Sequence, residues 1–287
     1  MFSLASWLAA QRARRVVFIA GLFPLPVLGL LSASTVVMSA RLKGPRETLI
    51  DCTLALLLLA GMAWFAGMDT PLLAASAAVS WLILAALGTL AGRFASLQLA
   101  IQAAILIALA ALVTLLLIGD QVTAYWTEIL DTVYQDLAEQ GVDMEVDVAA
   151  QAALMSGLVI AGSFAGTVLA LLLGSSWASG LQGGNHAEQF RQLRLGYVVG
   201  GLAALVGLAE VLGLETGGAL LIFGAAFMFH GMAVTAWWAA MLAWPRGWWI
   251  GLCILLLLIP NLLIAGLMVF ATIGFIDNWY SLRRKPA

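Results

Sequence analysis

Charge is what this chain has least of. Only 10% of its 287 residues are charged, against 63% hydrophobic, whereas a soluble domain carries about 25% charged residues. A water-soluble fold of this size cannot hide that much apolar surface, so lipid is the solvent for most of it. Histidine and cysteine are also scarce, at two of each. Cys52 and Cys253 sit singly inside apolar runs, where each reads as a small buried hydrophobe, and no disulfide between them is expected. No Cys/His cluster has metal-ligand spacing, and neither GxGxxG nor a Walker-type phosphate loop occurs, which leaves no basis for a nucleotide engine. A nucleophile, a base and an orienting partner in catalytic arrangement are equally missing. The chain is therefore expected to be no enzyme, to hold no cofactor or metal, and to have no nucleic-acid partner.

What is present is a succession of long apolar runs. Backbone polar groups in lipid must be satisfied within the spanning structure, which leaves helices or a closed barrel. A barrel would show alternating segments of about ten residues. Continuous runs such as 97–118 point to helices instead. The segments read as 16–40, 49–68, 71–91, 97–118, 152–173, 196–213, 217–243 and 249–276, each near the length of about 20 residues that crosses a bilayer. The expected fold is all-α: a polytopic transmembrane helical bundle of about eight hydrophobic helices, forming a single membrane domain over 1–287. Pro24 and Pro26 in the first segment, and Pro260-Asn261 in the last, predict bends or breaks there. Arg12, Arg14 and Arg15 before the first apolar run resemble the start of a signal peptide. That run is too long for a typical signal, however, so a retained first segment is expected.

Lys and Arg set the orientation. Arg41, Lys43 and Arg46, then Arg93, then Arg191 and Arg194, then Arg246 fall in alternate loops, which are expected to face the cytoplasm. The intervening loops carry Asp69, the acidic stretch from Asp120 to Asp147, and Glu215, with no base. Eight simple crossings would place Arg12, Arg14, Arg15 and Arg283-Arg284-Lys285 outside. If both proline-broken end segments turned back, all thirteen basic residues would be cytoplasmic and six crossings would remain. Both arrangements stay open at this point. The expected location is the bacterial cytoplasmic (inner) membrane.

Chemistry concentrates in a few places. The acidic extracytoplasmic loop, 119–150, has Tyr125, Ile129, Val133 and Leu137 at helical spacing, which predicts a short amphipathic helix. Asp143, Glu145 and Asp147 alternate, yet the EF-hand pattern is absent. The cytoplasmic interfacial loop, 174–195, breaks at Gly183 and Gly184. Asn185 followed by His186 and Glu188 suggests an approximate capping box, and Phe190 leads to Arg191 and Arg194. This stretch reads either as a site for a phosphate, a carboxylate or a docking partner, or as an interfacial elbow with arginines on lipid headgroups. Inside the membrane, Asp51 and Glu210 lie near segment ends, within reach of water. His230 is in midspan and Asn261 adjoins Pro260, and the two are candidates for an intramembrane cavity. His230 reads equally as a neutral histidine bonded to a neighbouring helix. Gly162 with Gly166, and Gly196 with Gly200, form GxxxG pairs suited to close packing. Trp244, Trp248 and Trp249 mark an interface.

Several of these stretches resemble the YybS-like family of bacterial membrane proteins, whose function is not established. The resemblance rests on Arg41-Leu-Lys-Gly-Pro-Arg-Glu47, Gly92-Arg-Phe-Ala-Ser-Leu97, Glu188-Gln-Phe-Arg-Gln-Leu-Arg-Leu-Gly196, His230-Gly231-Met-Ala-Val, and the closing Gly274…Asp277…Trp279…Arg283 signature. The family's loop often has Asn-Pro-Gly-Gly before the Phe, where this chain has Gly183-Gly184-Asn185-His186. The resemblance implies that 183–196 together with Asp277, Trp279 and Arg283 form a functional cytoplasmic surface. It also implies a distant likeness to the substrate-binding components of energy-coupling-factor transporters, which have six helices. The expected function is a small-molecule binding or transport subunit. The alternative is a membrane-embedded scaffold that recruits a protein partner through its basic surface. Membrane lipids are partners in either case.

Overall fold

The computed structural model describes residues 4–142, 146–245, 247 and 260–283. Asp143, Glu145, Arg246, Trp248, Trp249, Cys253, Arg284 and Lys285 lie outside the described residues. The order of helices is α1 Leu4–Ala10, α2 Arg12–Leu22, α3 Gly29–Lys43, α4 Pro45–Phe65, α5 Thr70–Arg93, α6 Leu97–Ile118, α7 Asp120–Glu139, α8 Val148–Gln182, α9 His186–Arg191, α10 Tyr197–Val211, α11 Ala219–Met241 and α12 Pro260–Tyr280. No strand occurs among the described residues. Six of the helices (α4, α5, α6, α8, α11 and α12) are long and apolar enough to cross a membrane. The chain is an all-α, multi-pass membrane protein.

The expected eight segments resolve unevenly. The sixth, α10, has 15 residues and spans about 22 Å at about 1.5 Å per residue, short of a hydrocarbon core of about 30 Å. The fifth, α8, runs on for 35 residues, so the interfacial loop begins at Gly183 rather than at residue 174. The described part of the last segment starts at Pro260. The first segment is broken, as its prolines require: Pro24 and Pro26 supply no donor, while Leu25 N–H bonds Leu22 and Gly29 N–H bonds Leu25 through the bend.

The described residues gather into two compact units, one of 1–104 with 166–193, the other of 105–165 with 194–287. In the first unit α2 and α3 form a hairpin that returns to the end from which it started. Ser32 Oγ donates to the Ile19 carbonyl across it. Phe23 at its tip meets Trp81, midway along α5, edge to face at 5.3 Å between centroids. The hairpin therefore reaches only part of the way along α5, and Arg12, at its start, pairs with Glu47 at the start of α4. This is the turned-back arrangement for the first segment. α3 is buried on nearly all sides. Its hydroxyls are satisfied locally, Ser34 by the Leu30 carbonyl and Thr35 by the Leu31 carbonyl. Ala5 and Leu8 of α1 pack on Met38 of α3 and Ala178 of α8.

In the second unit the tightest pairing is α11 against α12. A Cβ on Gly231 would collide with the Phe270 carbonyl, and one on Gly274 with the Phe227 carbonyl, so the two backbones touch and only glycine fits at the crossing. The GxxxG pair Gly162 and Gly166 does not work this way, since a Cβ at either would meet nothing within 4 Å. The C-terminal end of α12 meets the N-terminal end of α10: Asn278 Nδ2 donates to the Gly196 carbonyl, 3.1 Å. α7 lies along α8 through Trp126 Nε1 to Ser156 Oγ, 3.1 Å, and Tyr134 OH to Gln151 Oε1, 2.5 Å. That pairing turns Trp126 and Tyr134 inward. Tyr125 and Val133, expected on the apolar face, are exposed.

Candidate functional site

Two buried charge networks stand out, one in each unit. In the first, Asp51 is fully buried one and a half turns into α4. Its Oδ2 accepts from Arg15 Nε at 2.7 Å and from Ser39 Oγ at 3.1 Å. Its Oδ1 lies 3.1 Å from Arg12 Nε. Arg15 is itself only 4% exposed. Asp51 thus does not reach water, contrary to its place near a segment end, because the hairpin covers it. Arg12 and Arg15 are three residues apart and Glu47 and Asp51 four apart, so each pair shares a helix face and the faces match.

In the second unit His230, from the middle of α11, meets Asp277 from the end of α12 and Arg283 from the residues just beyond it. His230 Nε2 is 2.9 Å from Asp277 Oδ2 and 3.0 Å from Arg283 Nη2. Arg283 Nη2 donates to the same Asp277 Oδ2 at 2.7 Å. His230 and the Asp277 side chain are fully buried. The crossing at Gly231 and Gly274 places the ring against the carboxylate. His230 therefore joins the residues expected on the cytoplasmic surface rather than lining a cavity with Asn261. Asn261 is exposed and sits 16 positions before Asp277, about 24 Å along α12.

The other candidates divide between the units. In the first, Gly183 adopts φ +72°, a conformation that favours glycine. Asn185 Oδ1 then caps α9 by accepting from Glu188 N–H at 3.2 Å. Glu188 turns its carboxylate to Gln192 Nε2, 2.7 Å, and to Arg191, 3.6 Å. Gly184 packs on Ser179, and Phe190 is half-buried. His186 is half-buried too, and burial together with the charge of Arg41 brings its pKa down to about 4. In the second unit Arg194 is exposed and donates to Ser281 Oγ at 3.3 Å. Trp279 leans on Tyr197 and Phe275. Burial lowers the pKa of Arg283. An apolar groove of about 330 Å³ runs between α10, α11 and α12, with Phe227 and Phe275 on its wall. Among the described residues no group of three His, Cys, Asp or Glu is placed to hold a metal.

In the sequence Arg12, Arg15 and Arg41 read as orienting charges, Asp51 only as a carboxylate within reach of water, and Ser39 goes unremarked. The signal available was the matched spacing of Arg12 with Arg15 and of Glu47 with Asp51. Fold and site define a multi-pass helical membrane protein with buried acid–arginine networks. No family model, curated protein or solved structure matches the chain.

Proposed function

We propose that this protein is a small-molecule binding or transport subunit whose working centre is His230, Asp277 and Arg283. One observation carries the reading. A single imidazole nitrogen faces both a carboxylate oxygen at 2.9 Å and a guanidinium nitrogen at 3.0 Å. With a proton on Nε2 it donates to Asp277. Without that proton it accepts from Arg283, and it cannot do both at once. The centre therefore has two hydrogen-bond arrangements set by one proton. Ionisable groups placed like this inside membrane proteins commonly serve ion or substrate pathways. The adjoining groove offers an apolar wall for a ligand.

Kinship with the YybS-like family is part of this proposal. What supports it is that two of the stretches carrying the resemblance, His230-Gly231 and Gly274…Asp277…Arg283, meet in one centre. Placement in a bacterial cytoplasmic membrane is part of the proposal too, and the positive-inside rule would turn the arginine-rich ends inward there. The test is native mass spectrometry of the full chain extracted gently from its membrane, wild type beside H230Q. A discrete small molecule held by the wild type and lost from H230Q supports the proposal. Identical spectra carrying only lipids would sink it.

A second reading, a scaffold that recruits a protein partner, is favoured by the exposed ledge of Arg194, Tyr197 and Trp279. Reversing Arg191 and Arg194 to Glu should then abolish recovery of a stoichiometric companion while the bundle stays folded. Unchanged recovery rejects it.

A further inference from the structure

We infer that the first unit contains an oxyanion site, separate from the His230 centre, in which Arg41, His186 and Gln189 take a phosphate group. Arg41 closes α3, and its Nε and Nη1 are shut off from solvent without any hydrogen-bond partner. His186 Nδ1 and Gln189 Oε1, both on α9, are in the same condition. Ordinarily buried polar atoms are paired, and a buried guanidinium above all. Three such side chains at one end of one unit are the imprint of a missing partner.

The sign of that partner follows from the charges nearby. Four carboxylates occur in this unit, Glu47, Asp51, Asp69 and Glu188. Glu47 and Asp51 are engaged by Arg12 and Arg15. Glu188 serves Gln192 and Arg191. Asp69 caps the opposite end of α5. None is left for Arg41, while Lys43, Arg46 and Arg93 add further positive charge at that end. Gly92 of α5 lies so close to the Arg41 Cα and Cβ that any side chain there would press on the arginine stem.

The donors fit an oxyanion. The guanidinium presents a planar fork, the imidazole offers Nδ1–H in its neutral tautomer, and rotating the Gln189 amide exchanges its oxygen for an NH₂ donor. Donors from two helices suit the tetrahedral oxygens of phosphate. The same chemistry is supplied by free phosphate and by a phospholipid headgroup.

The test uses the full chain in maltoside detergent, in two arms. Inorganic phosphate is titrated against the thermal midpoint, and phosphatidylglycerol is added and its retention read by native mass spectrometry. R41Q is expected to weaken the response at least about tenfold, the loss of one charge-assisted contact. R46Q, which removes an exposed charge from the same end, should leave it unchanged. A response to inorganic phosphate identifies a soluble ligand, and a response to phosphatidylglycerol alone identifies a headgroup. Silence in both arms, or equal responses from wild type and R41Q, overturns the inference. Should R41Q lose its monodisperse profile, Q189A replaces it without touching a charge. A threefold or greater weakening then supports the site, and unchanged binding overturns it.

Discussion

The two units bury the same ingredients to different ends. Asp51 and Asp277 are both shut away from solvent, and each is bound by arginine. Around Asp51 the formal charges balance: Arg12 and Arg15 face Glu47 and Asp51, and the last contact comes from the hydroxyl of Ser39. Around Asp277 the third member is an imidazole, whose charge depends on one proton. The first network is a staple holding a hairpin to the helix beside it. The second can change its hydrogen bonding without moving a helix. A buried acid and arginine therefore do not by themselves mark a working centre. On the function proposed above, what marks it is a third group able to switch.

Variants can break that contrast. The largest effect is expected from D51A, which strands Arg15 in a dry site and should cost about 3–5 kcal/mol. Thermal unfolding in detergent reads the loss, and a D51M/R15M pair should recover much of it. G231A comes next, at about 1–3 kcal/mol for a methyl driven into the Phe270 carbonyl. It should also part His230 from Asp277 without altering any charge, which a changed imidazole proton resonance would reveal. H230A should cost about 1 kcal/mol, since the Asp277–Arg283 pair survives it. A loss as large as that of D51A would show the second network to be a staple too. R12Q should cost about 1 kcal/mol or less, Arg12 being 43% exposed.

The smallest effect at neutral pH comes from His186. Its folded pKa of about 4 lies below the ordinary 6.5. Below pH 6.5 the unfolded chain therefore binds a proton that the folded chain refuses, and stability declines as pH falls towards 4. H186Q should flatten that decline.

Much of this fold is legible in the sequence, and the reasons are local. The run 97–118 and the helix Leu97–Ile118 coincide, because an apolar stretch of spanning length has one good solution in lipid. The break at Pro24 and Pro26 is just as direct. Where the chain goes after the break is not local, since it depends on Arg12 and Arg15 finding Glu47 and Asp51 some 35 residues on. The candidate centre was half legible for a similar reason. His230 carries a visible anomaly, a polar group in an apolar helix, whereas Asp277 stands out only through the closing signature just past the last apolar run. Their meeting depends on a glycine crossing that residue spacing does not reveal. Arg41 reads as one more topogenic charge until His186 of α9 comes within reach of its field.

The hairpin also bears on how the chain enters the bilayer. Arg12, Arg14 and Arg15 precede a segment that comes back on itself, so none of them has to be carried through hydrocarbon. Passage of an arginine through the bilayer centre costs about 2.5–3.5 kcal/mol even on translocon-insertion scales. The insertion machinery is thus relieved of three such transfers. The counter-charges for Arg12 and Arg15, Glu47 and Asp51, come instead from the helix that follows the hairpin, α4.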